Sequence, residues 1–520
     1  MKKHNIIKVV LITMLVFLLL SWILPAAYYS GQYVDQGRVQ MGLFDLFNYP
    51  LTALSYFGYV GLFFILVGGF YGILYKIPAY RTFLERIVKI FEGKEKILLS
   101  VFVVIIALLV SVCGLQFGIA LFIPFIVSII LLMGYDKITA ALVTIGGVIA
   151  GLIGTTFTPA SANNLVGELG LLQNFQLGAR FIILLVAVII VIVNVIIYAN
   201  TKGKVKVSKK EEIKKEIKAT VEKIEKVVAK KAPAKKAPAK KAPAKKAPAK
   251  KTTKKGKNAN KAALIEEDVI MVPAKADGKH KVWPFVVTFS LLFVLFVLAY
   301  MPWGVLKVDI FDKATKAVQE FTLFKFPLFA KILGTFNSFG NWSITDIFLP
   351  LGLVILVLVL IYKVKLDDIF DGFIEGAKKA LAPAVIVLLL YSILVLVTYH
   401  PFQLVIYKAI LGLSKGFNVA TTVIVALLAP IFNSDAAYSY QSVVPYFASI
   451  VTKSSNYPLA AIIFQSMYGL VMLFAPTSLV LMGILSVLKV SYKDWLKNVW
   501  KLLLELFIAL LIIFIILALI

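Results

Sequence analysis

The sequence predicts an all-α polytopic membrane protein made of two inverted repeats, with about nine transmembrane helices and two re-entrant helical hairpins. Three observations carry that prediction. The composition is too apolar for a water-soluble core: 60% of the 520 residues are hydrophobic and the mean hydropathy is +0.90, against roughly 45–50% apolar residues in an ordinary soluble domain. Apolar runs of about 20 residues, the length that spans the hydrocarbon layer, recur along the chain. An ordered series of short matches relates its two halves.

The first element opens Met1-Lys2-Lys3-His4 and stays apolar to about Tyr28. That run is longer than the roughly 7–15 residues of a signal-peptide core, so a retained helix is expected over 6–28. Further uninterrupted spans fall at 51–77, 179–199, 283–302, 343–363, 381–399 and 502–520. Two long stretches, 137–170 and 458–488, are broken by Gly, Pro, Ser, Thr and Asn. Two others, 97–134 and 418–453, carry polar residues at their middle. They are too long for one span and too short for two, which fits half-helices that enter and leave on one side. Segments 78–96 and 402–417 are amphipathic. In the first, Phe83, Ile87, Ile90 and Phe91 share a helical spacing, apart from Arg81, Arg86, Lys89 and Lys94, as in a helix at the membrane interface.

The net charge of +28 is concentrated in one place: residues 201–280 hold 26 Lys against 9 Asp and Glu. A helix is plausible over 210–230, where Ile213, Ile217, Val221, Ile224 and Val228 recur at three- and four-residue steps. From Lys231 to Lys250 the Lys-Ala-Pro-Ala-Lys motif places a proline at every fifth position, which excludes regular helix and favours an extended, solvated chain. The organisation expected is an N-terminal membrane half, 1–200, with a first repeat over 43–172; a cytoplasmic linker, 201–280; and a C-terminal half, 281–520, with a second repeat over 366–490. The linker is read as a tether. Its lysines also suit anionic lipid headgroups, at about 1 kcal/mol each near the surface, or non-specific nucleic-acid phosphates. The single cysteine, Cys113, and three scattered histidines, His4, His280 and His400, argue against a disulfide framework, a metal site or an enzyme.

The repeat rests on matches in order. Asp45-Leu46-Phe47 recurs as Asp368-Ile369-Phe370, and Pro78 and Gly93 as Pro401 and Gly416. Phe117, Pro124, Phe125 and Ser128 recur as Tyr438, Pro445, Tyr446 and Ser449. Gly151-Leu152 recurs as Gly469-Leu470, and Phe157-Thr158-Pro159-Ala160-Ser161 as Phe474-Ala475-Pro476-Thr477-Ser478. Five predicted crossings separate the two starts. An odd number gives the units opposite orientation, as in many secondary transporters. With the N-terminus in the cytoplasm of a cell-membrane protein, the basic segments 76–96, 201–280, 363–379 and 489–501 all fall inside.

Backbone at membrane depth must find hydrogen bonds within the protein or line a cavity. Breaks at matched positions therefore mark a site. Candidate substrate- or ion-binding residues are Ser111, Gly114 and Gln116 at the first hairpin turn; Thr155, Thr156, Thr158, Ser161, Asn163 and Asn164 in the first broken span; Asn433, Ser434 and Asp435 at the second turn, with Gln441 downstream; and Thr477 and Ser478 in the second broken span. Freed helix N-termini suit an anion, and freed carbonyls suit a cation. Asp435 stands out, because an acid at mid-span costs about 2.5–3.5 kcal/mol on insertion scales. No cofactor is expected beyond a coupling ion, Na⁺ or H⁺.

Leu132-Met133-Gly134-Tyr135-Asp136, Phe432-Asn433-Ser434-Asp435 with Gln441, and Pro476-Thr477-Ser478 followed by Tyr492-Lys493-Asp494-Trp495-Leu496-Lys497 resemble the YfcC-like and four-carbon dicarboxylate uptake carriers of the ion transporter superfamily. The p-aminobenzoyl-glutamate transporters are more distantly similar. The resemblance covers roughly 43–200 and 283–510. It implies an ion-coupled secondary active transporter of a small organic anion or amino acid, working by alternating access between hairpin tips and broken helices. An amino-acid antiporter or a peptide transporter fits the same fold. Related carriers look dimeric, which implies a homodimer. Two positions depart from the family pattern: Leu115-Gln116-Phe117 stands where acids are common, and Thr158 where Asn precedes the proline. The rival class is a membrane scaffold acting through the basic linker.

Overall fold

The computed structural model describes residues 5–115, 118–157, 163–204, 272–273, 281–334 and 336–520. The described chain is almost wholly helical. Helix α1 (Asn5–Ile23) leads into a two-stranded antiparallel ribbon, β1 (Ala26–Tyr29) and β2 (Tyr33–Gly37). The helix stops short of the expected Tyr28 because Pro25 cannot continue its hydrogen bonding and biases the residue before it to extended backbone. Seven helices follow: α2 (Asp45–Tyr75), α3 (Pro78–Ile90), α4 (Glu95–Cys113), α5 (Ile123–Leu132), α6 (Lys137–Ile153), α7 (Asn163–Glu168) and α8 (Leu177–Thr201). After the linker come α9 (Trp283–Tyr300), α10 (Ile310–Glu320), α11 (Leu328–Leu333) and α12 (Phe348–Tyr362). The chain ends with α13 (Leu366–Tyr399), α14 (Gln403–Leu411), α15 (Val419–Phe432), α16 (Ala436–Ile450), α17 (Tyr457–Val471), α18 (Leu479–Leu488) and α19 (Tyr492–Leu519).

The last seven helices match α2–α8 member for member. Each series opens with a long helix carrying an internal proline, Pro50 in α2 and Pro383 in α13. A short helix follows, then two helices separated by a turn, a helix that ends at a break, a short helix and a long one. Seven helices, α1, α2, α4, α8, α9, α13 and α19, are long and apolar enough to cross a membrane. The chain is therefore an all-α polytopic membrane protein. Two elements differ from expectation. The arm before the first turn, α4, has 19 residues, the length of a full span, whereas its counterpart α15 has 14. The span expected over 343–363 begins only at Phe348, because Asp346 accepts from the Ser343 N–H at 2.6 Å and folds the preceding residues into a turn.

The centre of the molecule is held by α6 and α17. Every residue from Thr139 to Ile153 is buried, as is every residue from Ala460 to Val471. Helices apolar all round are surrounded by protein. Here α4, α5 and α8 pack on α6, and α15 and α19 on α17. The two central helices meet at their C-terminal ends, where a Cβ on Gly469 would lie 2.4 Å from the backbone nitrogen of Ile153.

The second crossing joins α2 to α13, the most extensive helix pair in the fold. Gly72 lies against Gly372, Gly68 against Gly376 and Ala380, and Gly61 against Leu388. Phe57 stacks on Tyr391 with centroids 4.1 Å apart, and the Tyr49 hydroxyl bonds His400. Positions that rise on one helix fall on the other, so the two helices run antiparallel. Gly68-x-x-x-Gly72 faces Gly372-x-x-x-Gly376, a small-residue pattern that lets backbones approach closely in a membrane. A Cβ on Gly376 would sit 2.1 Å from the Gly68 carbonyl oxygen. Lys76 and Glu375 close the same end with an ion pair at 3.1 Å.

Gly376→Ile should force α2 and α13 apart. Overpacking of this kind typically costs about 1–3 kcal/mol, read as a lower melting temperature in detergent. Gly304→Ala, where a Cβ meets nothing within 4 Å, should leave melting unchanged. Equal melting of both variants and the parent protein would contradict this interface.

Candidate functional site

The first break begins where α6 ends at Ile153, and the turn after α4 lies against it. Gly114 caps α4 in the left-handed region, φ +66°, with its N–H bonded to the Val110 carbonyl at 3.0 Å. Glycine takes this conformation without the Cβ penalty. Ser111, fully buried, donates from Oγ to the Gly154 carbonyl at 2.6 Å and accepts from the Thr156 N–H at 3.1 Å. Its hydroxyl also lies 3.0 Å from Thr156 Oγ1. Thr155 turns its own hydroxyl back to the Leu152 carbonyl at 2.9 Å. Each of these bonds replaces one that the interrupted helix has lost.

The Thr155 carbonyl goes to a residue the sequence reading passed over. Arg180, in the first turn of α8, is 2% exposed. Its Nε donates to Thr155 at 2.7 Å, and Nη1 donates to the Gln173 and Phe175 carbonyls at 2.9 and 3.0 Å. The guanidinium stacks 4.5 Å from the Phe175 ring centroid. A fixed positive charge thus sits at the mouth of the first break, where partial negative charge on carbonyls stabilises it.

The second turn and second break are joined in the same manner. Thr477 Oγ1 donates to the Ile431 carbonyl at 2.9 Å. Ser478 caps α18 by accepting from the Leu481 N–H at 3.2 Å, and it donates to the Met472 carbonyl at 2.9 Å. The Tyr468 hydroxyl donates to the Ser434 carbonyl at 2.8 Å. Asn433 and Ser434 are buried, while Asp435 is half-buried. Asp435 is the N-cap of α16, accepting from the Ala437 N–H at 3.0 Å. Tyr59 of α2 and Tyr391 of α13 lie within electrostatic reach of its carboxylate.

The two halves of the site touch. Ser466 on α17 donates to the Ile153 carbonyl at 3.0 Å, beside the Gly469 crossing. Asn164, just beyond the first break, donates to the Ala437 carbonyl at 3.4 Å, two residues from Asp435. Its exposed neighbour Asn163 accepts from Gln173 at 3.2 Å. Gln441 is exposed, on α16. Gln116, Thr158 and Ser161 lie outside the described residues, as do 205–271 and 274–280 of the linker. Among the described residues, no group of three or more His, Cys, Asp or Glu is placed to hold a metal ion.

Three buried polar residues at this centre were missed from sequence: Arg180, Tyr440 and Gln465. Arg180 and Gln465 lie in largely apolar runs, whereas Tyr440 stands among Ser439, Gln441 and Ser442. For Tyr440 and Gln465 the available signal is a position one or two helical turns from an interruption; Arg180 carries no such signal.

Two helical series, broken at matched places and joined through buried hydrogen bonds, define a multi-pass membrane transporter. The DcuC family, C4-dicarboxylate anaerobic carrier, matches residues 55–235 and 266–519, and the chain belongs to that family. The match falls on the dicarboxylate side of the resemblance described above. The intervening residues, 236–265, begin within the Lys-Ala-Pro-Ala-Lys stretch and run on through the rest of the basic linker. No curated protein and no solved structure matches the chain.

Ser111→Ala removes both the donor to Gly154 and the acceptor for the Thr156 N–H. A buried group left without its partner costs about 1–3 kcal/mol. The variant should melt correspondingly lower in detergent, and Ser111→Thr should recover part of the loss. Unchanged melting of Ser111→Ala would mean that the turn and the break are not joined this way.

Proposed function

We propose that this chain carries C4-dicarboxylates across the cell membrane by alternating access, coupled to Na⁺ or H⁺. The observation that carries the reading is the packing of α6, where it ends at Ile153, on Gly469 of α17, shortly before the second break. Backbone interrupted at membrane depth is kept where it is buried in protein or lines a cavity, and broken helices of this kind flank the substrate in secondary transporters. The family match favours a dicarboxylate over an amino acid or peptide. Repeats inverted across the membrane, with re-entrant turns, are part of the proposal. The antiparallel run of α2 against α13, the first helices of the two series, is the arrangement that inversion requires. A cytoplasmic N-terminus agrees with the basic residues near the Lys76–Glu375 end of that pair.

In this reading α2 and α13 form a scaffold around their tight glycine contact. The turns after α4 and α15, with α7 and α18, surround the substrate. Asp435 is the acid placed to exchange its charge for a bound cation or proton. The linker is a tether between halves.

Purified protein in liposomes should accumulate labelled succinate in response to an imposed Na⁺ or H⁺ gradient, and leucine should not compete. Asp435→Asn should alter the ion dependence or cut the rate at least tenfold. Transport of leucine but not succinate would refute the substrate class. An Asp435→Asn variant with parental rate and ion dependence would remove Asp435 from the coupling step.

A further inference from the structure

The most informative group outside the residues already assigned is the Gln465 amide. Gln465 is 3% exposed, and its Nε2 is buried with no hydrogen-bond partner among the described residues. A buried donor of that kind costs stability, so a native fold that keeps one calls for an explanation. Its position supplies one. Gln465 precedes Ser466, which bonds the Ile153 carbonyl at the first break. It lies one turn before Tyr468 and Gly469 and therefore on their face of α17. Gly469 packs on Ile153, and Tyr468 bonds the Ser434 carbonyl at the second turn.

A tyrosine and an arginine close the same locale. Tyr440 of α16, 4% exposed, packs its ring 5.8 Å from that of Tyr468. It lies within electrostatic reach of Arg180. Arg180 in turn is fixed on the Thr155 carbonyl, two residues from Ile153. A guanidinium, a phenol and an amide N–H are thus drawn from α8, α16 and α17 to the neighbourhood of the crossing between α6 and α17. All three are hydrogen-bond donors, and the guanidinium adds charge. Donors from several elements converging on a buried point suit an anion with several acceptor oxygens.

We propose that Arg180, Tyr440 and Gln465 form the subsite for one carboxylate of the transported dicarboxylate. The Gln465 Nε2 donates directly to a carboxylate oxygen, and Tyr440 donates from its hydroxyl. Arg180, already engaged with backbone carbonyls, supplies the positive field that favours the ionised form. This assignment rests on the dicarboxylate-carrier reading and deepens it.

Two consequences of Gln465→Leu run in opposite directions. Removing an unpartnered buried N–H donor while keeping the volume is neutral or stabilising to the fold. Removing a substrate donor weakens binding. Full-length Gln465→Leu in detergent should melt at or above the parental temperature, while its dissociation constant for succinate, read by calorimetry, rises at least tenfold. Tyr440→Phe should act in the same sense, and its KM for succinate uptake in liposomes should rise more than its kcat falls. Parental succinate affinity in Gln465→Leu overturns the subsite while leaving the carrier reading intact. A lower melting temperature with parental affinity does the same and makes Gln465 structural. Parental protein that neither binds nor transports succinate or fumarate overturns the substrate reading itself, and the subsite with it.

Discussion

Hydrocarbon offers no hydrogen bonds, and this structure follows from the places where its helices nevertheless stop. Each interruption exposes N–H and C=O groups that must be met from within the protein. At the first break Ser111 and Arg180 meet them, the one reaching from the last turn of α4 and the other from α8. At the second, Thr477 reaches back to Ile431 and Tyr468 reaches forward to Ser434. In water such bonds contribute about 1 kcal/mol net, but losing one in a dry interior costs the full desolvation of the orphaned group. The breaks are therefore fixed features, and the side chains that close them determine the shape of the space between.

Two close crossings hold these features in register. Both use glycine, for the same steric reason. At α2–α13 the Gly68 and Gly376 backbones touch, and at α6–α17 Gly469 lies on Ile153. The first crossing binds the long helices of the two series into one unit. The second packs the end of α6 on α17 close to its own C-terminus, at Gly469, the residue that aligns with Gly151 when the two halves are compared. A site made from matching ends of two similar units inherits an approximate twofold plan. The side chains then break that symmetry: the positive charge, Arg180, belongs to the first series, and the acid, Asp435, to the second.

Much of this was legible in the sequence because polar residues in an apolar chain announce themselves in groups. Thr155-Thr156, Asn433-Ser434-Asp435 and Thr477-Ser478 all lie at interruptions between helices, and the amphipathic runs over 78–96 and 402–417 became α3 and α14. Helix ends were less legible. The N-terminal ribbon follows from Pro25, a single residue whose effect on a long apolar run is hard to weigh. The α2–α13 interface was invisible for another reason. Gly372 and Gly376 fall in the charged start of α13, before the stretch that hydropathy marks as a span. Arg180 and Gln465 were passed over because an isolated polar residue changes the hydropathy of its window little. Their meaning comes from partners 25 residues away or in the other half of the chain.

The charge of the cargo constrains the mechanism further. Moving one elementary charge across a membrane at 100 mV costs or yields about 2.3 kcal/mol. A dicarboxylate entering against a negative interior therefore faces about 4.6 kcal/mol at that potential, before any concentration gradient. A fixed cation such as Arg180 does not remove this cost, because it stays with the protein while the anion crosses. Its effect is local, holding the anion where hydrocarbon would expel it. The electrical work has to be met by species that travel with the substrate, or avoided by exchanging one dianion for another. A half-buried acid at the tip of the second turn, capped only by backbone N–H groups among its described bonds, suits the first route. Its charge can be cancelled by a proton or a sodium ion on one side and restored on the other. In this proposal the acid suited to coupling, Asp435, lies in the second series, while the donors for the anion come from both, Arg180 from the first and Tyr440 and Gln465 from the second.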